Sequence, residues 1–158
     1  MKIGILGGSF NPAHFGHVYI SNIALKILQL DEIWWLVSPQ NPLKVNYSSA
    51  SLKDRLKNAK KISNGYRIRV ENLESNFKTN LTAKTLKIMI ERYKGTKFIW
   101  LMGADNLKEI NNWFNWKAIF NTMPVAVFDR GVYSYSVINS VAGKCYFSKL
   151  HKTKNSKS

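Results

Sequence analysis

Cysteine is nearly absent from this 158-residue chain, and long apolar runs are absent altogether. The single cysteine, Cys145, excludes an internal disulfide framework and suits a reducing compartment. Its plain reading is a small, partly buried side chain. Uninterrupted apolar stretches such as "IWWLV" fall far short of the roughly 20 residues that a bilayer-spanning helix needs. No charged segment leads into an apolar one at the N-terminus, so no signal peptide is expected. A cytoplasmic protein with no membrane partner is the expectation. Apolar residues make up 45% of the chain, which argues against wholesale disorder, and the length suits one domain with a real core.

Acidic side chains are also scarce. Nine Asp and Glu stand against 24 Lys and Arg, a formal net charge of +15. Residues 51–100 hold 13 basic and 4 acidic side chains, and residues 144–158 hold five lysines and no acid. The end of the chain, "KLHKTKNSKS", therefore reads as solvated, and the predicted division is a domain over 1–145 and a mobile basic tail over 146–158. A positive field favours anionic partners, either nucleic acid or phosphorylated metabolites. A lysine-rich surface without a specific partner explains the same number, so charge alone does not choose.

Hydrophobic patterning alternates strands with helices. "KIGIL" reads as a short strand, and "VYISNIALKILQ" puts Ile20, Ile23, Ala24, Ile27 and Leu28 on one helical face. "EIWWLVS" is a buried strand that stops before Pro39. Residues 51–63 form an amphipathic helix with Leu52, Leu56 and Ala59 inward, and "YRIRVEN" alternates as a strand does. "TAKTLKIMIERY" is a helix with Leu86, Met89, Ile90 and Tyr93 on its inner face. "KFIWLMG" and "MPVAVFDR" are strands on either side of a partly helical 105–120. Strands separated by helices imply βαβ units, hence an α/β fold: a single Rossmann-like domain with a parallel sheet flanked by helices. Ligands of such sheets sit beyond the C-terminal ends of the strands.

What the chain does have is "GGSFNPAHFGH" at residues 7–17, with two of its three histidines, directly after the first strand. Gly7 and Gly8 let a backbone approach a ligand without a Cβ in the way. A helix starting near Gly16 presents unpaired N–H groups and about half a positive charge, a seat for phosphate. His14 and His17 share one crevice if the helix starts between them, where imidazoles can donate to phosphate oxygens and stabilise a leaving group. A Walker A loop is excluded, since no Gly-Lys-Ser/Thr follows. The dinucleotide fingerprint is excluded by the spacing of Gly4, Gly7 and Gly8 and by the absence of an acid after "VSPQ". A His-x-x-His metal pair would need a third ligand from Cys145, His151 or a carboxylate, without supporting spacing. A glycine turn with incidental histidines is the bland alternative.

The stretch resembles the G-x-F-x-P-x-H-x-G-H signature of nucleotidyltransferases that adenylylate or cytidylylate a phosphorylated metabolite, matching at Gly8, Phe10, Pro12, His14, Gly16 and His17. Further stretches are similar to bacterial nicotinate-nucleotide adenylyltransferases. "VSPQNPLK" resembles their second-strand loop, whose basic residue, here Lys44, reaches the substrate phosphate. "LTAKTL" resembles their Y-T-x-x-T-L element, in which Thr82 would help to hold the nicotinate ring. "LMGADNLKEINNWFNWKAI" resembles their G-x-D-x-L…W-x-x-W/Y-x-x-I block. The resemblance runs from residue 1 to about 130. It implies the nucleotidyltransferase fold and adenylyl transfer from ATP to nicotinate mononucleotide, with pyrophosphate released and Mg²⁺ bridging phosphate oxygens.

The resemblance also implies roles. His14 and His17 are the catalytic pair, and Gly7, Gly8, Ser9, Phe10, Gly103 and Asp105 complete the ATP side, Asp105 accepting from a ribose or capping a helix. Lys44, Thr82 and Trp113 form the mononucleotide side, Trp113 stacking on the pyridine ring; Trp116 reads as core. Three departures stand out. Leu81 replaces the usual tyrosine, Lys84 replaces an Asp or Gln, and nothing in "VINSVAGKCYFSKLHKTKNSKS" matches the family's I-S-x-T/A-x-I-R element, whose hydroxyls and arginine grip ATP. Weak ATP affinity is the corresponding expectation. Two alternatives accompany this reading: adenylylation of another phosphorylated metabolite such as phosphopantetheine, against which Thr82 and Trp113 argue, and a basic nucleotide- or nucleic-acid-binding protein without turnover. The latter lacks the aromatic-basic interleaving of a strand-binding surface.

Overall fold

The computed structural model of the protein describes residues 1–8, 10–38, 50–73, 82–103, 116–128 and 150–153. In chain order the elements are β1 (Lys2–Gly8), α1 (Phe15–Ile27), β2 (Glu32–Val37), α2 (Leu52–Ser63), β3 (Ile68–Glu71), α3 (Thr82–Arg92), β4 (Lys97–Gly103), α4 (Trp116–Thr122), β5 (Val125–Phe128) and β6 (Leu150–Thr153). All strand pairs are parallel and the sheet order is β3-β2-β1-β4-β5-β6. That is the doubly wound arrangement, in which the direction of winding reverses between β1 and β4. The α/β reading of the sequence holds.

Strands β1, β2, β4 and β5 are continuous apolar runs because helices cover both faces of the sheet. Side chains alternate between two cores. Ile3, Ile5, Trp34, Leu36, Phe98, Trp100, Met102, Val125 and Val127 pack with Leu86 and Met89 of α3 and Ile119 and Phe120 of α4. Leu6, Ile33, Trp35, Val37, Leu101, Ala126 and Phe128 pack with Val18, Ile20, Ala24 and Leu25 of α1 and Ala59 of α2. Among the described residues no helix is long and apolar enough to cross a membrane.

Several details depart from the periodicity. Ile90, which the spacing puts on the inner face of α3, is 38% exposed, and Ile27 of α1 is exposed as well. In α1, which begins three residues earlier than "VYISNIALKILQ", the buried positions are Val18, Ile20, Ser21, Ala24 and Leu25: the face packed on the sheet is turned toward Ser21 and away from Ile27. In α2 the buried set is Arg55, Ala59 and Ser63, with Leu52 and Leu56 half-buried at its margin. The region expected to be a mobile tail also differs. Leu150–Thr153 pair with Val125–Phe128 and extend the sheet as β6. Backbone pairing of this kind tolerates a lysine-bearing edge strand, a composition that edge strands commonly carry.

Candidate active site

The loop after β1 lies at the C-terminal edge of the sheet, at the switch point where β1 pairs with both β2 and β4. There the first turn of α1 is capped by histidines. His14 is the N-cap, with extended backbone, and its Nδ1 accepts from the Gly16 N–H at 3.0 Å. His17 reaches back, its Nδ1 accepting from the His14 N–H at 3.1 Å. This is a capping box built from two imidazoles, where serine or threonine with glutamate is usual.

The cap has a chemical consequence. A ring nitrogen that accepts a hydrogen bond carries no proton, so in neutral imidazole the proton resides on the other nitrogen. In the neutral form each ring therefore carries its proton on Nε2, on the side away from the cap. The ring centroids lie 4.0 Å apart. The first turn of α1 contains no acidic side chain, so the positive end of its dipole is uncompensated. In the neutral form the two Nε2–H groups, together with the positive end of the helix dipole, can receive oxygens of a polyphosphate.

Aromatic packing holds this pair from beneath. The Phe10 ring lies 4.6 Å from that of His17 and stacks on Trp35 at 5.0 Å. Trp35 Nε1 donates to Ser21 Oγ at 2.9 Å, and Ser21 Oγ donates to the His17 carbonyl at 2.8 Å. Phe10 has φ +49°, in the left-handed region that costs a side-chain-bearing residue roughly 1–3 kcal/mol. Full burial of its ring between His17 and Trp35 offsets that cost.

The two glycines differ in purpose. A Cβ on Gly7 would collide with the Trp100 indole, so glycine there is demanded by packing against β4. Packing thus gives glycine at position 7 a structural reason of its own, beside its expected approach to a ligand. Among the described residues a Cβ on Gly8 would meet only the Phe10 ring, at 3.7 Å, which is ordinary contact. Gly103 ends β4, and among the described residues nothing lies within 4 Å of where its Cβ would be.

The remaining predicted positions are distributed as follows. Thr82 is the first residue of α3, and Lys84 is exposed. Trp116 opens α4. Ser9, Lys44, Leu81, Asp105, Trp113 and Cys145 lie outside the described residues. His151, weighed as a third metal ligand, sits in β6 in register with Ala126, and no group of three metal-ligating side chains occurs among the described residues.

Four residues with a part in this site carry no motif: Ser21, Trp35, Arg55 and Asn58. Arg55 is 6% exposed, and burial pushes its guanidinium below the usual arginine range while leaving it charged. Its position four and eight residues before Ala59 and Ser63, on the buried stripe of α2, is the signal that the sequence offers.

The sequence pattern of the family described as cytidylyltransferase-like matches residues 5–158. A "Probable nicotinate-nucleotide adenylyltransferase" of Parvibaculum lavamentivorans is 46% identical over 130 residues, which are 82% of this chain and 65% of that protein. A protein of the same name from Cereibacter sphaeroides is 45% identical over 150 residues, 95% of this chain and 79% of the relative. The chain thus spans about two thirds to four fifths of the length of these curated relatives. Among solved structures, the Plasmodium falciparum nicotinic acid mononucleotide adenylyltransferase complexed with NaAD superposes with a TM-score of 0.79 at 21% identity, covering 99% of this chain and 77% of its own. The same enzyme complexed with APC gives 0.76 at 20% identity, covering 99% and 76%. Those structures share the fold, and the sequence relatives share the histidine loop's family: this chain belongs to the cytidylyltransferase-like family, among its nicotinate-nucleotide adenylyltransferases.

Proposed function

We propose that this chain transfers the adenylyl group of ATP to nicotinate mononucleotide, giving nicotinate adenine dinucleotide and pyrophosphate, a step of NAD synthesis. The observation that carries the reading is the pair of imidazoles whose Nδ1 atoms are fixed by their own helix cap at the switch point of the sheet. In this reaction a phosphate oxygen of the mononucleotide forms a bond to the α-phosphorus, and the bond to the bridging oxygen of pyrophosphate breaks. Negative charge grows on the departing group. Two pre-aligned donors and a helix N-terminus stabilise it without reorganising, which is where most catalysis of phosphoryl chemistry originates.

In this reading His14 and His17 hold the triphosphate, with Gly8, Ser9 and Phe10 as the backbone wall and Gly103 and Asp105 on the nucleoside side. Lys44 neutralises the phosphate of the mononucleotide, and Thr82 and Trp113 hold its ring. The family resemblance supports the roles of Ser9, Lys44, Asp105 and Trp113. Mg²⁺ would be held by the triphosphate oxygens and water, its usual ligands, and would supply charge neutralisation there. The protein's share is the donor set, which suits the remaining phosphate oxygens. Our reading extends to a cytoplasmic compartment, in keeping with a single cysteine.

The test is pyrophosphate release with ATP and a panel of acceptors: nicotinate mononucleotide, nicotinamide mononucleotide and phosphopantetheine. Turnover with the nicotinate nucleotide above the others is the expected result. Preference for phosphopantetheine would transfer the chain to a sister activity, and no release with any acceptor would defeat the proposal.

A further inference from the structure

Helix α2 carries a buried charge where a helix covering a sheet needs only apolar groups. The Arg55 guanidinium is spent on backbone carbonyls: Nη1 donates to the Ser38 carbonyl at 2.6 Å and Nε to the Ala50 carbonyl at 3.0 Å. The same two residues hold the histidine loop. Ser38 N–H donates to the carbonyl of Gly8 at 2.9 Å, and Ala50 N–H donates to Asn11 Oδ1 at 3.4 Å. One turn along α2, Asn58 Nδ2 donates to the Ala13 carbonyl at 3.3 Å, directly before the cap residue His14. The loop is thus tethered at Gly8, Asn11 and Ala13, on both sides of Phe10 with its left-handed backbone.

We propose that Arg55 is a positioning residue for the histidine loop: by bonding Ser38 and Ala50 together it fixes Gly8 and Asn11, and so the placement of the His14–His17 cap. A planar fork is suited to this task, because it reaches two carbonyls at once in a fixed geometry with charge-assisted bonds. A lysine keeps the charge but is a single point on a flexible stem. Burial makes the arrangement rigid, since leaving either carbonyl or the cation unpaired inside the protein is unfavourable. The kinetic part of the inference rests on the reading that His14 and His17 act on the triphosphate; the geometric part does not.

The variant to make is Arg55→Lys, with Asn58→Ala as the check should the first not fold. Two measurements are taken on each. In nitrogen-15 NMR of the imidazoles, the wild type should show both rings as Nε2–H tautomers, and the variant should show averaged or shifted signals for His14 and His17. In the adenylyl-transfer assay, kcat should fall by about ten- to a hundredfold, as misplacement of a catalytic group from outside the reacting centre does, with a smaller change in KM for the mononucleotide. In a His17→Ala background the same substitution should cost little more, because the group it places is gone. Unchanged imidazole signals in the folded variant overturn the proposal, and so does a kcat loss that is fully additive with His17→Ala. Should the wild type turn over no acceptor, the functional reading fails by itself and the NMR result alone decides the role of Arg55.

Discussion

The two faces of the sheet are built from the same kinds of strands but differ in what they bury. On the face covered by α3 and α4, the core is apolar and aromatic: Trp34, Tyr93 and Phe98 meet edge-to-face at 5.2–6.2 Å, and Thr85 is the one buried polar side chain among the described residues of α3 and α4. The face covered by α1 and α2 buries Ser21, Arg55 and Ser63. Ser21 bonds Trp35 and His17, and Arg55 bonds Ser38 and Ala50. Hydrophobic burial is non-directional and supplies stability, whereas hydrogen bonds have directions and can hold an irregular loop in one place. Ser21 and Arg55 are buried where the loop that carries the histidines must be held, whereas Ser63 bonds Lys60 within its own helix.

Substitutions on the two faces should therefore separate stability from chemistry. Phe98→Ala, near the start of β4 and away from the site edge, should cost about 3–5 kcal/mol in a denaturant melt. Turnover per folded molecule should stay at the wild-type value; a kcat loss there would erase the distinction between the faces. His17→Ala should do the reverse. Removal of one transition-state donor costs about 2.7–4 kcal/mol of barrier, a fall of about 10²–10³ in kcat. The accompanying loss of stability should be near 1 kcal/mol, the usual worth of a helix cap. Near-normal turnover would take His17 out of the mechanism.

Gly7→Ala and Gly8→Ala sharpen the comparison within one loop. Alanine at Gly7 drives a methyl into Trp100 and should destabilise by about 1–3 kcal/mol, as overpacking does. Among the described residues alanine at Gly8 meets only ordinary contact, so its melt should match the wild type while KM for ATP rises. Equal destabilisation by both would show that Gly8 too is a packing residue. The smallest effect is expected at Ile90→Lys, about 0.5 kcal/mol, because the side chain is already 38% exposed and a lysine stem can cover the same surface while its ammonium reaches water. A larger loss, read from the same melts, would restore Ile90 to the core that periodicity assigns it.

Much of this molecule is written locally. The apolar runs of β1, β2, β4 and β5 follow from burial on both faces, and strand–helix alternation leaves a parallel sheet as the economical arrangement. The glycine–histidine stretch announces its chemistry because few residue types suit a phosphate seat at a strand-to-helix turn. Chain position alone put the start of α1 between His14 and His17, within a residue of where it lies.

Other features came into being only when distant segments met. That Gly7 is a packing glycine depends on Trp100, on another strand. The tautomers of His14 and His17 depend on backbone N–H groups whose directions exist only once the cap is formed. Leu150–Thr153 read as solvated lysine-rich chain, yet pair with β5, because backbone hydrogen bonding does not consult side-chain composition. Arg55 reads as one more cation in a basic helix; what makes it different is the pair of carbonyls, from Ser38 and Ala50, that tertiary structure brings to it. Composition, periodicity and a local signature determined the fold class, the family and the identity of the histidines. The placement of those histidines was decided by contacts between residues far apart in the chain, since hydrogen-bond direction and close packing are properties of arranged atoms and not of residue order.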